Sequence, residues 1–212
     1  MADEQKPETY TTLGGTADAE YEEKRSLFIG HASPARTEDE ANDFIRRMKK
    51  QYADATHNVS AYYIKDGIYA RYSDDGEPQG TSGMPVLDVI RKSGVNDAVI
   101  VVTRYFGGTL LGAGGLVRAY SHTAKLAMEA AGIVTYQKYT TLTLTCSYSD
   151  YGRYQAELPK FGAVLDGTDF SDRVTLSFAV RGTVFPALRD RIREMSGGRD
   201  EPDVTGERYD YR

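Results

Sequence analysis

The part of the sequence that most restricts the fold is the run Ala98-Val99-Ile100-Val101-Val102-Thr103. Its last five residues are all β-branched, and side chains of this kind favour strands. A strand with one exposed face would alternate apolar and polar residues, whereas this run stays apolar until Thr103. We therefore predict a strand that is buried on both faces.

Helices and strands are both predicted around this strand. Thr37 and Glu40 form a capping-box pattern, so a helix is predicted to begin there. Another helix is predicted at 116–131, where Gly132 ends it. The other predicted elements of this half are a strand at 26–34, a hairpin of 59–64 and 68–72 with the turn Lys65-Asp66-Gly67, and a helix at 85–93.

The pattern changes near residue 136. The segment Thr141-Leu142-Thr143-Leu144-Thr145 alternates polar and apolar residues, as a half-exposed strand does. The elements predicted after it are a helix at 151–161, strands at 163–170 and 174–180, a helix at 185–195 and a strand at 204–211. This βαββαβ order is the ferredoxin-like pattern. We therefore expect an α+β protein with an N-terminal α/β domain at 1–136 and a ferredoxin-like domain at 137–212.

The composition excludes several classes of protein. A chain of 212 residues with 40% hydrophobic and 27% charged residues is typical of globular proteins. Its net charge of −5 disfavours broad binding to nucleic acid, so any such contact must be local. Cys146 is the only cysteine, which excludes an intramolecular disulfide. No apolar run approaches the roughly 18 residues of a membrane helix, and the start Met1-Ala2-Asp3-Glu4 does not resemble a signal peptide. We expect a cytoplasmic protein with no membrane partner.

The first candidate surface is the glycine-rich segment Arg104 to Tyr120, which lies between the buried strand and a helix. Five glycines fall within nine positions: Gly107, Gly108, Gly112, Gly114 and Gly115. Backbone amides at a helix start favour an anion. Arg104 and Arg118 suit a phosphate, and Tyr105, Phe106 or Tyr120 suit stacking on a base. The segment is neither a Walker loop nor a dinucleotide fingerprint. The same glycines also fit a tight turn and close helix–sheet packing.

The second candidate is the loop from Ser73 to Gly83. Its carboxylates Asp74, Asp75 and Glu77 suit a hard cation or acid–base chemistry, although the spacing is not that of an EF-hand. Turn geometry alone would also select these residues, and we favour that interpretation over a metal site. Thr81 and Ser82 present hydroxyl groups in either case.

Two further motifs are shorter. His57-Asn58 precedes a predicted strand, and His57 suits a general base, a phosphate ligand or a structural hydrogen bond. Lys24-Arg25 leads into the strand at 26–34, where a solvated strand entry is the simpler interpretation of its charge. The catalytic candidates are thus His57, Asp74, Asp75 and Glu77, but no nucleophile is linked to them in sequence. No metal ligand set and no cofactor are predicted.

These four motifs, in this order, resemble the YigZ/IMPACT family over about residues 9–135. The matching stretches are Lys24-Arg25-Ser26-Leu27-Phe28, Ala55-Thr56-His57-Asn58, Asp74-Asp75-Gly76-Glu77-Pro78 with Gly80-Thr81-Ser82-Gly83, and Val102 to Gly108 with Gly112 to Tyr120. Many relatives have a cysteine where this chain has Val59, which weighs against thiol chemistry.

The resemblance implies a fold for each half. The N-terminal domain should have the left-handed βαβ fold of a ribosomal-protein second domain, shared with domain IV of elongation factor G and with GHMP kinases. The C-terminal domain should resemble domain V of elongation factor G. Eukaryotic relatives restrain the amino-acid-starvation kinase pathway by binding its activator with the help of an RWD domain. We expect this chain to lack that domain, so the partnership is not transferred.

Two functions remain open. We favour a binding protein that contacts RNA, the ribosome or a translation factor and regulates translation. The alternative is an enzyme that acts on a small phosphorylated metabolite or a peptide, with the glycine-rich segment holding an anion. Neither oligomeric state nor sequence-specific DNA binding is predicted. The candidate binding residues are Lys24, Arg25, His57, Asn58, Asp75, Glu77, Thr81, Arg104, Tyr105, Phe106, Gly107, Gly108, Gly112, Gly114, Gly115, Arg118 and Tyr120.

Overall fold

The computed structural model describes residues 9–65 and 67–211, so Asp66 of the predicted hairpin turn lies outside the described residues. The strands are β1 (Thr9–Leu13), β2 (Ala17–Glu23), β3 (Ser26–Pro34), β4 (His57–Ile64), β5 (Tyr69–Ser73), β6 (Ala98–Tyr105), β7 (Ile133–Cys146), β8 (Val164–Phe170), β9 (Val174–Arg181) and β10 (Asp203–Tyr211). The helices are α1 (Glu38–Gln51), α2 (Gly83–Lys92), α3 (Gly112–Ala131), α4 (Tyr148–Glu157) and α5 (Phe185–Ser196), with a short 3₁₀ helix at Leu158–Phe161.

The chain divides into two compact units. Among the described residues, one unit lies between residues 11 and 134, and the other combines residues 9 and 10 with residues 135–211. The class is α+β, as predicted. No helix of the described part of the chain is both long and apolar enough to cross a membrane.

The first unit contains an antiparallel sheet of order β2-β3-β6-β4-β5, with β6 in the centre. The prediction for β6 is confirmed, because its residues 98–103 are all buried. Val99 and Val101 pack in one cluster with Phe44 of α1, and Ile100 and Val102 pack in another with residues of α2 and α3. Burial on both faces explains why the run does not alternate.

Helix α1 begins where the capping pattern predicts. Thr37 Oγ1 accepts a hydrogen bond from the Glu40 N–H at 3.2 Å, while the Glu40 carboxylate accepts from the Arg36 N–H at 2.7 Å. Acidic residues in its first turn and Lys49 and Lys50 in its last turn match the helix dipole. The cap therefore satisfies N–H groups that a helix leaves without internal partners.

Helix α3 begins at Gly112, four residues before the predicted start at Leu116. Glycine has low helix propensity, so the apolar periodicity indicated only the later part of the helix. Gly112, Gly114 and Gly115 thus belong to the first turn of α3 rather than to a preceding loop. The predicted end is confirmed, since Gly132 has a φ of +73°.

The second unit has the predicted ferredoxin-like order β7, α4, β8, β9, α5 and β10. Its strands lie in the order β10-β7-β9-β8 and pair antiparallel, and β1 also pairs with β7. Tyr154 of α4 and Leu188 of α5 pack with Leu142, Leu144 and Phe178 of the sheet. The predicted helix at 151–161 is α4 followed by the 3₁₀ turn, because Ser147 caps the helix earlier by accepting from the Asp150 N–H at 3.2 Å.

Strands β1 and β2 were not predicted. The sequence of β2 is Ala-Asp-Ala-Glu-Tyr-Glu-Glu, and aspartate, glutamate and alanine are all uncommon in strands. Tertiary contact overrides this weak propensity: Ala19 and Tyr21 pack against the apolar core of the first unit. The polar residues alternate with them on the other face.

Candidate functional site

A cleft of about 410 Å³ opens in the first unit beside the start of α3. His57, Glu77, Arg104, Phe106 and Gly112 line it, so three of the four sequence motifs contribute to one cleft. Strand register explains part of this grouping, because Arg104 of β6 pairs with His57 of β4. Thr56 also lines the cleft, and the other walls are apolar: Pro78, Leu110, Leu111, Ala113 and Leu116.

An ion pair forms the charged part of the cleft. Arg104 Nη1 donates to Glu77 Oε1 at 2.6 Å, and the two side chains are only 6% and 4% exposed. The Tyr120 hydroxyl donates to the same carboxylate oxygen at 2.8 Å. Burial, followed by the nearby Glu77 charge, raises the pKa of the Tyr120 phenol far above its ordinary value. Glu77 Oε1 therefore accepts hydrogen bonds from two buried neighbours, Arg104 and Tyr120.

Tyr120 does not reach the cleft surface. Its side chain is fully buried and packs edge-on against Phe28, with the ring centroids 5.2 Å apart. The expectation that Tyr120 stacks on a base is wrong, because helix periodicity turns this position toward the sheet. Its contribution to the cleft is the hydrogen bond that orients Glu77.

The Arg104 guanidinium lies between two aromatic rings. Its central carbon is 5.4 Å from the ring centroids of both Phe28 and Phe106. Nη2 donates to Ser26 Oγ at 3.3 Å, whereas the buried Nε has no hydrogen-bond partner among the described residues. Since Glu77 already matches its charge, Arg104 supplies shape and hydrogen-bond donors rather than a free cation.

His57 presents one ring nitrogen to the cleft. Its Nδ1 lies 2.8 Å from the main-chain oxygen of Asp75, and a carbonyl oxygen can only accept. In the neutral ring this contact assigns the proton to Nδ1 and leaves the lone pair on Nε2. Nε2 lies 3.9 Å from Glu77 Oε1, and the side chain is 20% exposed. The arrangement orients an imidazole acceptor toward the cleft.

The Asp75 carboxylate is itself held in place, which fixes the main-chain oxygen that contacts His57. Its Oδ1 accepts from Lys49 Nζ at 2.5 Å, and its Oδ2 accepts from the Asn58 N–H at 2.6 Å. Partial burial by itself would raise the pKa of the Asp75 carboxyl, but these two hydrogen bonds and the Lys49 charge lower it below its ordinary value. Asp75 is thus held as a carboxylate by its own structural partners.

Asp74 and Thr81 shape the loop that leads into α2. The Asp74 carboxylate accepts from the N–H groups of Gly80 at 2.8 Å, Ser82 at 3.2 Å and Gly83 at 2.8 Å. The Thr81 hydroxyl donates to the Pro78 carbonyl at 2.6 Å. These contacts agree with the turn interpretation of the acidic loop, and they place a negative charge at the start of a helix.

Asn58 belongs to a buried network beneath the cleft. Its amide nitrogen donates to the Tyr52 carbonyl at 3.0 Å, and its amide oxygen accepts from the Thr103 hydroxyl at 2.7 Å. Thr103 also lies 3.3 Å from His31 Nε2. Asn58 therefore fixes β4 against β6 and the end of α1, and it is too buried to contact a ligand.

The loop after β6 makes a close approach to the β2–β3 hairpin. The Gly107 N–H donates to Ser26 Oγ at 3.2 Å, and a Cβ added at Gly107 would lie 1.9 Å from the Arg25 carbonyl oxygen. Only glycine fits this position. The Phe106 N–H donates to Thr56 Oγ1 at 3.0 Å, and the Tyr105 hydroxyl donates to Asp54 at 3.0 Å.

Lys24 and Arg25 are the two central residues of that hairpin. Both are exposed and both adopt left-handed backbone angles, with φ of +47° and +69°. Two-residue hairpins that need positive φ at both positions strongly prefer Asn-Gly. This turn instead presents two cations beside the loop that carries Phe106.

The start of α3 contributes backbone donors. The helix has no side-chain hydrogen bond at its N-cap and no acidic residue in its first turn. Arg118 extends back along the helix, so that its Nη1 lies 3.6 Å from the position of a Cβ on Gly114.

The predicted residues of this segment do not all line the same cleft. Gly112 lines the cleft, whereas Gly115 and Arg118 line a second depression beside Tyr21 and His122. Gly108, with a φ of +81°, lies in the exposed loop between β6 and α3.

Several site residues were missed at the level of sequence. Lys49 donates a hydrogen bond to the Asp75 carboxylate, and Ser26 accepts one from Arg104. Leu110 and Leu111 form apolar walls of the cleft. Only the leucine pair carried a usable signal, because two apolar residues between loop glycines are not explained by the turn. Within residues 9–65 and 67–211, no group of three histidine, cysteine or acidic side chains is arranged to hold a metal ion.

Comparison with known proteins identifies the family. Residues 24–128 match the Impact N-terminal domain, and residues 144–199 match a domain of unknown function, DUF1949. The Bacillus subtilis IMPACT family member YvyE is 35% identical over 91% of this chain and 89% of its own length. The Escherichia coli IMPACT family member YigZ is 31% identical over 82% of this chain and 87% of its own length.

A solved structure described as "Crystal structure of an hypothetical protein" is also similar. The two sequences are 28% identical, and the structural match covers 94% of this chain and 98% of the other chain, with a TM-score of 0.59. The two matched domains and the relatives that span most of the chain show that this protein belongs to the IMPACT family.

Proposed function

We propose that this protein is a translation-related regulator that binds RNA, the ribosome or a translation factor through the cleft beside α3. The observation that carries the proposal is that all three carboxylates of the acidic loop are engaged in structure. Asp74 holds the start of α2, Asp75 holds Asn58 and Lys49, and Glu77 holds Arg104 and Tyr120. Carboxylates engaged in this way are poorly placed for acid–base chemistry, which favours a binding function for the cleft.

The groups exposed around the cleft support the same conclusion. Phe106 is 45% exposed and Leu110 is 83% exposed, so the cleft has an apolar rim. Lys24 and Arg25 form the hairpin whose backbone meets the Phe106 loop at Gly107, and the first turn of α3 adds backbone N–H groups. Apolar and aromatic exposure next to cations is typical of surfaces that contact nucleic acid or protein.

Ribosome co-sedimentation tests the proposal. The variant Lys24→Asn with Arg25→Gly removes both hairpin charges while supplying the residues that this turn geometry prefers. We expect it to lower the fraction that sediments with ribosomes by about 10-fold, since each exposed cation contributes a modest electrostatic term.

The matched control is Arg46→Gln with Lys50→Gln, which removes two exposed charges from α1 on the other face of the sheet. It should sediment like the unmodified protein. Equal loss in both variants would show only a general charge effect, and no loss in the hairpin variant would contradict the proposed surface.

One observation favours an enzyme as the second candidate. His57 is oriented by the Asp75 carbonyl and directs Nε2 to the cleft, as a general base would be. The substrate would be a small phosphorylated metabolite or a peptide with its anion at the start of α3. Thermal shift against a panel of such compounds tests this, because a ligand that binds the native state raises the melting temperature. A panel without any shift, with and without magnesium, would count against it.

A further inference from the structure

The cleft has the dimensions and chemistry of a site for one unpaired nucleotide, and we infer that it accepts a base of single-stranded RNA against Phe106, with the adjoining phosphodiester at the first turn of α3. The inference rests on the proposed function. Of the three partners proposed there, RNA, the ribosome and a translation factor, it selects RNA. Duplex RNA, a free mononucleotide and inorganic phosphate are the alternatives that the experiment must separate.

Size is the first argument. A cleft of about 410 Å³ is near the lower end of the range for small-molecule sites and suits one planar group with a short attachment. A duplex keeps its bases stacked inside and offers only its backbone and shallow groove. A base can enter this cleft only after it has left a stack, and single strands present such bases without cost from unpairing.

The second argument is the aromatic wall. Phe106 is the exposed ring at the cleft, and the Arg104 guanidinium lies 5.4 Å from its centroid. An aromatic ring supported by a guanidinium is a common platform for a nucleic-acid base. Pro78 and Leu111 line the same cleft and add apolar surface beside the ring. Stacking on Phe106 needs no particular base, because every base has a π face.

Charge decides which form of phosphate fits. The Arg104–Glu77 pair is neutral as a unit, so the interior of the cleft provides no uncompensated cation. A dianionic terminal phosphate would therefore be poorly matched. A phosphodiester carries a single charge, which suits the N–H groups at the start of α3 and the Arg118 guanidinium, whose Nη1 lies 3.6 Å from a Cβ position on Gly114.

A missing acceptor also marks the floor of the cleft. Arg104 lines the cleft, its side chain is only 6% exposed, and Nε donates to no described residue. A buried donor without an acceptor is unfavourable, and buried polar groups are almost always satisfied. His57 Nε2 lies on the same floor as an acceptor. Arg104 and His57 thus place one unpaired donor and one acceptor in the floor of the cleft.

The experiment is a fluorescence anisotropy titration of the full chain with a labelled eight-nucleotide single-stranded RNA of mixed sequence. Competitors are the unlabelled strand, the same sequence as a blunt duplex, adenosine monophosphate and inorganic phosphate. We expect the strand to compete at least 10-fold better than the duplex and far better than the mononucleotide or phosphate. Phe106→Ala should weaken binding about 10-fold or more, while Phe106→Tyr should retain it.

Ile68→Ala is the control, since it shortens an exposed apolar side chain of the β4–β5 turn, which does not line the cleft. It should change the affinity by less than about 2-fold. Phe106 is exposed, so its variants should melt at the temperature of the unmodified protein. Equal binding of strand and duplex, equal competition by the mononucleotide, or unchanged affinity of Phe106→Ala would each overturn the inference.

Ribosome sedimentation of the same variants distinguishes failure of the proposed function from failure of the nucleotide site. Ribosome sedimentation that is lost in the hairpin variant but unchanged in Phe106→Ala would keep the proposed function and overturn the nucleotide site. Loss in neither variant would overturn both. Loss in both, together with preference for the single strand, supports both.

Discussion

Glu77 shows what a buried charge contributes at the scale of one residue. Its carboxylate and the Arg104 guanidinium are each almost completely shielded from water, and each satisfies the other. Such a pair adds little net stability compared with apolar residues of similar size, but removal of one partner leaves an uncompensated charge. The pair therefore fixes the geometry of the cleft floor more than it stabilises the fold.

We predict that Glu77→Ala lowers the free energy of unfolding by about 3–5 kcal/mol, because Arg104 remains buried without its partner. The double variant Glu77→Leu with Arg104→Met should recover most of that loss. Urea denaturation measures both. A double variant as unstable as Glu77→Ala would contradict the view that the uncompensated charge is the main cost.

Asp75 gives a prediction on pH dependence. The lowered pKa of its carboxyl in the folded state means that it stabilises the fold above its unfolded-state pKa of about 3.9 and that this contribution is lost as the pH falls through the folded-state pKa. Asp75→Asn should cost about 1 kcal/mol at pH 7, a value reduced by solvent screening of the partly exposed pair.

The difference between Asp75→Asn and the unmodified protein should shrink from about pH 4 downward and vanish near pH 2. Asparagine tolerates the left-handed φ of +48° at this position, so backbone strain does not complicate the comparison. Denaturation curves at several pH values measure the difference. A constant difference across that range would show that the Lys49 contact does not hold the carboxylate.

At the scale of an element, the β2–β3 hairpin combines strain with charge. Lys24 and Arg25 hold left-handed angles that cost non-glycine residues roughly 1 kcal/mol or more each. Strain of this kind is usually retained where the residues serve another purpose. The cationic pair beside Phe106 is consistent with such a purpose.

Lys24→Asn with Arg25→Gly should therefore raise the free energy of unfolding by about 1 kcal/mol, even as it weakens binding. The control Lys24→Gln with Arg25→Gln removes the same charges without relieving the backbone. It should lose binding equally but gain no stability. Thermal melting followed by circular dichroism compares the three proteins, and equal stability of all three would show that this turn is not strained.

The first turn of α3 could not be predicted from apolar periodicity. Periodicity indicated the helix from Leu116 onward, but the structure extends it to Gly112. Glycine-rich turns form helix when the following residues pack, as Leu116, Ala119 and Tyr120 do here. The extension matters because it converts three predicted loop glycines into donors of a helix start.

At the scale of the whole molecule, net charge limits how RNA can be held. The chain carries a net charge of −5, so only a few cations near the cleft oppose general repulsion of a polyanion. Lys24, Arg25 and Arg118 are the exposed candidates in the described part of the site.

With three phosphate contacts, the logarithm of the RNA affinity should fall with the logarithm of salt concentration with a slope of about −2. Arg118→Gln should make that slope less steep by about 0.7. Anisotropy titrations at several potassium chloride concentrations measure it. A slope near zero would indicate contact without phosphate neutralisation, and one steeper than about −4 would require cations outside this site.

The sequence by itself determined the features that depend on neighbouring residues along the chain. The unbroken β-branched run identified β6, the Thr37–Glu40 pattern located α1, and the βαββαβ order identified the ferredoxin-like unit, because periodicity and capping are local. Motif order also indicated the family. Polar β2 was missed, since its strand state depends on pairing with β3 rather than on its own composition.

Only the tertiary structure decided what each site residue does. The sequence offered Arg104 and Arg118 as equal cations and Asp74, Asp75 and Glu77 as equal acids. Register and loop closure then buried Arg104 against Glu77, left Arg118 exposed, and engaged each acid with a different partner. Burial and the choice of partner arise from contacts between residues that are distant in the chain, and local sequence patterns do not predict such contacts.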